Sequence, residues 1–405
     1  MRILMVTPTL PYPLHQGGAL RNFGILRGLH DAGHEVTLFS FHDDTTDVDS
    51  TPLPELCVNI QTTPTPLRSS SARFRDLLLS RQPDLLRRLY SPAFEACLRS
   101  LLQATQFDLV QFEGFEMTAY LGCVREQQPA AKLCYDAHNA EYVLQQAILR
   151  VDRTDVRRLP AAVYSFLQSR RIAHSEGEVC RTVDCVIAVS QEDADSLRVF
   201  RQDRHVSVVP NGVFADDYMA SREHLDLGSH VLVFTGKMDY RPNVDAMRWF
   251  TDAILPQVQE EIPDARLYIV GQKPHARVEM LRDKANIAIT GWVNDVRPYL
   301  HAAHVYVAPL RMGSGTRLKI LEAMAAGCAI VATPFAASGL DAKARSAMIV
   351  AGNETAFTNA VISLLRNPAQ RQSLGAAAQR YARQHYDWSV LIPKLFSAYK
   401  EIGIG

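Results

Sequence analysis

The sequence predicts an α/β protein made of two Rossmann-like, doubly wound domains facing a central cleft. Three observations carry that expectation. Short apolar runs rich in β-branched residues alternate with longer helical patterns along the whole chain. The alternation restarts near residue 230. The 405 residues are too many for one ordinary domain and comfortable for two of roughly 200 each.

In the first half the strand-like runs are Ile3–Thr7, Glu35–Phe41, Cys57–Ile60, Phe107–Phe112, Ala131–Tyr135, Cys185–Ser190 and Val206–Val209. In the second half they are Val231–Thr235, Ala265–Val270, Asn286–Thr290, His304–Pro309, Ala329–Thr333 and Met348–Val350. Continuous apolar strands separated by helices indicate parallel sheets covered on both faces. The turn Pro210-Asn211-Gly212 and the polar stretch Ala220–His230 separate the two series. The expected organisation is therefore an N-terminal domain over 1–210, a linker over 211–228 and a second domain over 229–385. A closing helix over 386–405 is free, by composition, to pack back on the first domain.

Composition narrows the function. Hydrophobic residues make up 47% and charged residues 21% of the chain, and 43 basic residues balance 43 acidic ones. A zero formal charge argues against nucleic acid as a partner, which asks for a basic excess. Seven cysteines without a C-x-x-C pair read as reduced, buried thiols of a cytoplasmic protein. Thr7-Pro8 interrupts the apolar start Ile3–Val6 too early for a signal segment. No run approaches the ~20 apolar residues of a membrane span.

Ligands of open α/β sheets bind beyond the carboxyl ends of the strands, so the loops after each strand hold the candidates. The richest is Pro309–Ala325, a strand-to-helix turn with glycines at 313 and 315. Glycine lets backbone N–H groups approach a ligand closely, and a helix N-terminus just beyond favours an anion. Arg317 and Lys319 add fixed positive charge of the kind a diphosphate wants. Glu322 lies on the same helix, placed to accept from ribose hydroxyls.

This helix, followed by Gly327-Cys328-Ala329-Ile330-Val331-Ala332-Thr333-Pro334, resembles the donor-site helix and following strand of glycosyltransferase family 4. These are retaining, nucleotide-sugar-dependent enzymes of the GT-B fold. The resemblance spans both expected domains, with this segment its most specific part. It implies that Gly313, Ser314, Gly315, Thr316, Arg317 and Lys319 surround the donor diphosphate. The family's E-x7-E pattern meets Glu322 at its second position but Ser314 at its first. The contact that the first acid makes to the donor sugar must therefore come from Ser314, from backbone amides or from elsewhere.

Other loops fit the same picture. Gly236–Asn243 follows the first strand of the second domain, and the resemblance puts Lys237 at the donor phosphates, with Arg241 a further candidate. Asn243 reads as the N-cap of the next helix. Gly17 and Gly18 open the first helix of the chain and expose amides at the positive end of a dipole. By resemblance, that loop touches donor phosphate or acceptor, and the loop Gly291-Trp292-Val293 holds the base through its backbone. His138 follows the strand Ala131–Tyr135. Its near-neutral pKa suits contact with a sugar hydroxyl or phosphate, and the resemblance puts it beside the transferred sugar. Asp136, Glu141 and Glu113 are weaker acceptor-side candidates.

Asp193-Ala194-Asp195 has D-x-D spacing but falls at a helix start, where acids complement the dipole. No metal or other cofactor is expected. The arginine-rich stretch Arg68–Arg88 could rest on an anionic membrane surface. The function expected is metal-independent transfer from a nucleotide-sugar donor to a glycan or lipid-linked acceptor. A non-hydrolysing nucleotide-sugar epimerase and a non-catalytic nucleotide-sugar-binding protein are the alternatives.

Overall fold

The structure is a computed structural model and describes residues 1–14, 17–43, 47–69, 71, 75–76, 79–152, 159–201, 205–219, 225–312 and 318–404. The chain divides into two compact units, Met1–Pro210 with Leu391–Gly405, and Asn211–Val390.

The first unit carries strands β1 (Arg2–Thr7), β2 (Glu35–His42), β3 (Asn59–Pro64), β4 (Leu109–Glu113), β5 (Lys132–Ala137), β6 (Cys185–Ala188) and β7 (Ser207–Val208). They form one sheet in the order β3-β2-β1-β4-β5-β6-β7, with every neighbouring pair parallel. The central strands are buried on both faces because helices cover both sides, which is why their sequences are continuously apolar. β3 is the exception. Its expected position, Cys57–Ile60, slides to Asn59–Pro64, because an edge strand needs only backbone pairing with β2 and can hold Gln61, Thr62 and Thr63.

The second unit repeats the plan with β8 (Val231–Thr235), β9 (Arg266–Val270), β10 (Ile287–Gly291), β11 (Val305–Ala308), β12 (Ile330–Ala332) and β13 (Ile349–Val350). Their order is β10-β9-β8-β11-β12-β13, again all parallel. Counted from the start of each unit, the second sheet runs 3-2-1-4-5-6 and the first runs the same way with a seventh strand added after the sixth. The order reverses between β1 and β4 in the first, and between β8 and β11 in the second. Those two points are where an open sheet leaves room for a ligand.

The stretch expected as a linker is partly structured. Val213 is buried and pairs with Asp387, Ala215 N donates to Asp387 Oδ2 at 2.8 Å, and a helix follows over Ala215–Met219. The buried Val213 and the partly buried Phe214, whose ring lies 6.4 Å from that of Trp388, tie this segment to the second unit. At the other end of the chain, Trp388–Glu401 is helical, and its residues from Leu391 onward belong to the first unit. There Ile392 lies over Gly28, where a β-carbon would stand 2.2 Å from its Cδ1. No helix among the described residues is long and apolar enough to cross a membrane. All seven cysteines are free thiols.

In the second unit, helix Leu318–Ala325 packs on helix Pro368–His385. Their contact depends on Gly375, where a β-carbon would lie 2.1 Å from the Gly327 carbonyl oxygen. Alanine in an open helix stabilises by up to ~1 kcal/mol over glycine. Here the obstacle is backbone, so the two helices must separate. Gly375→Ala should destabilise the protein by roughly 1–3 kcal/mol, read as a lower urea midpoint. A midpoint at or above wild type would show that the helices are not in such close contact.

Candidate active-site residues

At the β1/β4 switch point, the first unit gathers a polar cluster inside an apolar core. Arg21, on helix Gly17–Asp31, is 1% exposed and grips Asp136 of β5 through Nε to Oδ2 at 2.8 Å and Nη2 to Oδ1 at 2.7 Å. Its Nη1 donates to the Val209 carbonyl at 2.9 Å. Glu113 ends β4 with no exposed surface, and its Oε2 lies 3.2 Å from Nε2 of His138, which is 22% exposed. Gln111 Nε2 donates to Glu113 Oε1 at 2.6 Å. The Tyr399 hydroxyl donates to Gln111 Oε1. With its amide oriented so that the nitrogen faces the Gly18 carbonyl, 3.1 Å away, Asn22 also donates to Glu113 Oε2 at 2.9 Å.

Burial, and then the charge of Asp136, push Glu113 up to about 7. Burial alone would lower the His138 pKa, but the hydrogen bond to Glu113 and the charges of Asp136 and Glu113 outweigh it, so the imidazole is raised. Glu113, Asp136 and His138 bring oxygen and nitrogen atoms within 4.8 Å of one another. The cluster already contains its cation, since both Asp136 oxygens bind Arg21. Helix Glu141–Asp152 begins just beyond. Its first amides, of Glu141 and Tyr142, donate to Glu176 at 3.0 and 2.9 Å, and burial raises that carboxyl to about 8. Burial and then the charge of Glu116 raise Glu141 to about 7.

In the second unit the carboxyl ends of β8, β9 and β10 each finish on a glycine of positive φ: Gly236 at 149°, Gly271 at 152° and Gly291 at 71°. A β-carbon on Gly271 would lie 1.8 Å from the Gly236 carbonyl oxygen, so no other residue type fits that approach. Gly271 and Gly291 also pair with each other. Lys319 sits at this edge. Its Nζ donates to Asn243 Oδ1 at 2.7 Å and lies 4.4 Å from the ring centroid of Phe234. A β-carbon on Gly236 would stand 2.7 Å from that Nζ. Glu322, one turn further along the helix, is partly buried and accepts from the Tyr218 hydroxyl at 2.8 Å. Burial raises its pKa, with Tyr218 and Lys319 pulling the other way.

The structure thus brings Gly18, Glu113, Asp136 and His138 together in one unit, and Gly236, Asn243, Lys319 and Glu322 near one strand edge in the other. Lys237 is half-exposed and 3.5 Å from Asp239. Arg241 is exposed at the first position of its helix, and Val293 is partly buried after β10. Gly17 starts its helix and is exposed. Gly313, Ser314, Gly315, Thr316 and Arg317 lie outside the described residues.

Asn243 is not the N-cap. Helix Arg241–Trp249 starts two residues earlier, and the buried Asn243 donates to the Lys237 carbonyl at 2.8 Å while accepting from Lys319. Asp193 accepts from Ala140 N at 2.9 Å and from the Ser190 hydroxyl at 2.5 Å. Asp195 pairs with Gln191 and Arg198. Within Arg68–Arg88, residues 70, 72–74 and 77–78 lie outside the described residues. Arg68 is bound to Asp76 and Asp84, Arg87 to Asp76 and Arg88 to Glu116, so these three arginines spend their charge within the protein. Sequence reasoning passed over Gln111, Asn22, Tyr218 and Gly271. Of these only Gly271, a glycine directly after a strand, carried a local signal.

Two Rossmann-like parallel-sheet units of this order, each with a polar cluster at its switch point, follow the plan of the GT-B fold. Solved structures share the fold. Sucrose-phosphate synthase from Thermosynechococcus elongatus superposes with a TM-score of 0.73 at 15% identity, covering 99% of each chain. HepE from Anabaena, in complex with UDP and glucose, does so at 0.67 and 16% identity, again over 99% of each. In sequence, residues 17–217 match the family described as Glycosyltransferase Family 4, and 229–367 that described as Glycosyl transferases group 1. The chain belongs to glycosyltransferase family 4. A phosphatidyl-myo-inositol mannosyltransferase from Mycobacterium leprae is 34% identical over 211 residues, which span 48% of this chain and 53% of that enzyme. The match thus takes in about half of the relative.

Arg21 is where the first cluster is most exposed to substitution. Removing one partner of a buried ion pair strands the other, at a cost of about 3–5 kcal/mol. Arg21→Met, of similar length, should lower stability by that order in chemical denaturation. A loss below about 1 kcal/mol would mean that water reaches Asp136.

Proposed function

We propose that the chain transfers a sugar, with retention at the anomeric carbon, from a UDP- or GDP-linked donor to a glycan or lipid-linked acceptor. The observation that carries this reading is the placement of Lys319. Its ammonium is held against Gly236, at the carboxyl end of the strand where the second sheet reverses order. A cation fixed beside a glycine-lined strand edge suits a diphosphate, whose oxygens gain charge as the sugar departs. Asn243 aims that cation, and Phe234 beneath it limits the water around it. Lys237 on the neighbouring loop adds positive charge, and in sequence Arg317 precedes Lys319 by two residues, so the reading assigns charge neutralisation to side chains and not to a metal ion. Glu322 accepts from ribose hydroxyls, and the backbone of the Gly291–Val293 loop takes the base.

In the first unit the reading gives His138 to a hydroxyl of the transferred sugar, with Gly17 and Gly18 leaving the helix amides open to a donor or acceptor oxygen. The UDP bound by HepE supports a nucleoside diphosphate as ligand. The lipid-linked substrate implied by the name of the mycobacterial relative supports a lipid-linked acceptor.

Lys319→Ala should lower kcat by roughly 10²–10³-fold with the circular dichroism spectrum unchanged. Transfer at the wild-type rate by that variant would remove the diphosphate assignment. The donor is found by a thermal-shift panel of nucleoside diphosphates and nucleotide sugars, since a ligand that binds only the folded state raises its Tm. Chromatography after incubation without acceptor separates the alternatives. A new isomeric nucleotide sugar indicates an epimerase, and binding without any transfer indicates a non-catalytic protein.

A further inference from the structure

Among the described residues, the hydrogen bonds around the Glu113 carboxylate can each be given a direction. The Tyr399 hydroxyl points at Gln111 Oε1, which turns the Gln111 amide nitrogen toward Glu113 Oε1 at 2.6 Å. The Asn22 side-chain atom 3.1 Å from the Gly18 carbonyl is assigned as its nitrogen, because that oxygen can only accept, and the same nitrogen then lies 2.9 Å from Oε2. Both amides are donors, so Oε1 and Oε2 both accept, and the remaining neighbour of Oε2 is His138 Nε2 at 3.2 Å. A single proton lies between those two atoms. The opposite nitrogen, Nδ1, has no hydrogen-bond partner among the described residues. Its edge of the ring is bordered by glycines: a β-carbon on Gly18 would lie 3.9 Å from Nδ1, and one on Gly114 3.8 Å. Both distances are ordinary van der Waals contact, and neither residue has a side chain there.

We propose that Glu113 is a positioning residue that locks His138 with its Nε2 turned inward, so that the pair gains and loses its working proton at Nδ1, the nitrogen that meets a hydroxyl of the sugar. This rests on the reading of His138 given above and adds to it the atom, the tautomer and the residue that sets them. The proton count follows from the geometry. With one proton shared between Oε2 and Nε2, Nδ1 is bare and accepts from a hydroxyl. A second proton must go to Nδ1, whether the shared one then sits nearer the carboxylate or the ring, and Nδ1 becomes a donor. A buried carboxylate orienting an imidazole in this way is a general device for presenting one ring nitrogen to a substrate.

The neighbouring charges set where the pair titrates. Asp136 and Arg21 lie behind it, Tyr399 and Cys134 beside Glu113, and Glu141 and Glu116 near the His138 ring. The upward shifts of Glu113, to about 7, and of His138 keep the second proton on the pair into the neutral range. Replacing Glu113 with a neutral group removes the charge that holds the proton, so the His138 pKa must fall.

The test is ¹⁵N NMR of the histidine rings in the full-length protein, with the His138 signals assigned by their loss in His138→Asn. At high pH the wild-type ring should carry its proton on Nε2, and a wild-type ring protonated on Nδ1 there overturns the proposal. In Glu113→Gln the His138 titration should move down by about one unit or more, with the Nδ1–H tautomer becoming populated. Glu113→Asp, which keeps the charge, should recover part of the shift. An unchanged His138 titration in folded Glu113→Gln also overturns it. None of these readouts needs turnover, so the proposal can fail while the glycosyltransferase reading stands, and the converse. Where transfer is measurable, Glu113→Gln should lower kcat by roughly 10–100-fold, with Kd for the nucleoside diphosphate unchanged.

Discussion

The first unit depends on one buried ion pair. Arg21 and Asp136 are 115 residues apart in sequence and together have almost no exposed surface. Taking two charges out of water costs several kcal/mol per ion, recovered only when geometry and hydrogen bonding are complete. Here they are, with a two-point contact to the carboxylate and a third bond to the Val209 carbonyl. The arrangement ties the first helix, the central strand β5 and the exit from β7 to one guanidinium. Helix Gly17–Asp31 is thereby fixed in rotation, which sets Gly18 beside His138 and Asn22 beside Glu113. An apolar pair would hold the same pieces together, but it would leave Glu113 and His138 without the charges that tune them.

The second unit reaches comparable rigidity by steric means. Gly236 and Gly271 approach so closely that only hydrogen fits between backbone and backbone, while Gly236 N donates to the Val270 carbonyl at the end of β9 at 3.0 Å and Met238 N to the Gln272 carbonyl at 2.9 Å. Drawing the strand ends together sets the glycine-lined edge beside which the Lys319 ammonium lies. The helix that carries the ammonium is located in turn by the Gly375–Gly327 contact behind it. Glycine thus acts twice in this unit, once to shape the edge and once to set the distance of the helix that serves it. The first unit holds a protonic group over a charged floor, and the second holds a cation over an uncharged one.

Much of this was legible from sequence because parallel, doubly covered sheets force apolar runs, and such runs are visible without tertiary information. The run lengths and their restart near residue 230 follow from burial alone. What slipped was decided elsewhere. β3 is set by pairing to β2 and not by its own apolarity. Asn243 looked like a cap because caps are local, whereas its role is fixed by Lys319, 76 residues away. The expected linker hid the buried Val213 and a tyrosine that reaches Glu322, 104 residues on. Glu113 looked weak since a lone glutamate at a strand end has no pattern, and its meaning comes from Gln111, Asn22 and His138. Those partners are assembled by three different stretches of chain.

The same reasoning explains why similar motifs carry different weight. Asp193-x-Asp195 follows β6, away from either reversal of strand order, and its acids are consumed by the Ser190 cap, the Ala140 amide and Arg198. His138 and Glu113 follow β5 and β4, Gly18 follows β1, and Lys319 follows β11, each at or beside a reversal. Where strand order runs on in one direction, successive connections cross the same face and pack against each other, so polar side chains find protein partners. At a reversal the connections depart to opposite faces, and the gap between them leaves some polar atoms with no protein partner to take. His138 Nδ1, which has no hydrogen-bond partner among the described residues, is such an atom, and the topology of the sheet accounts for its place.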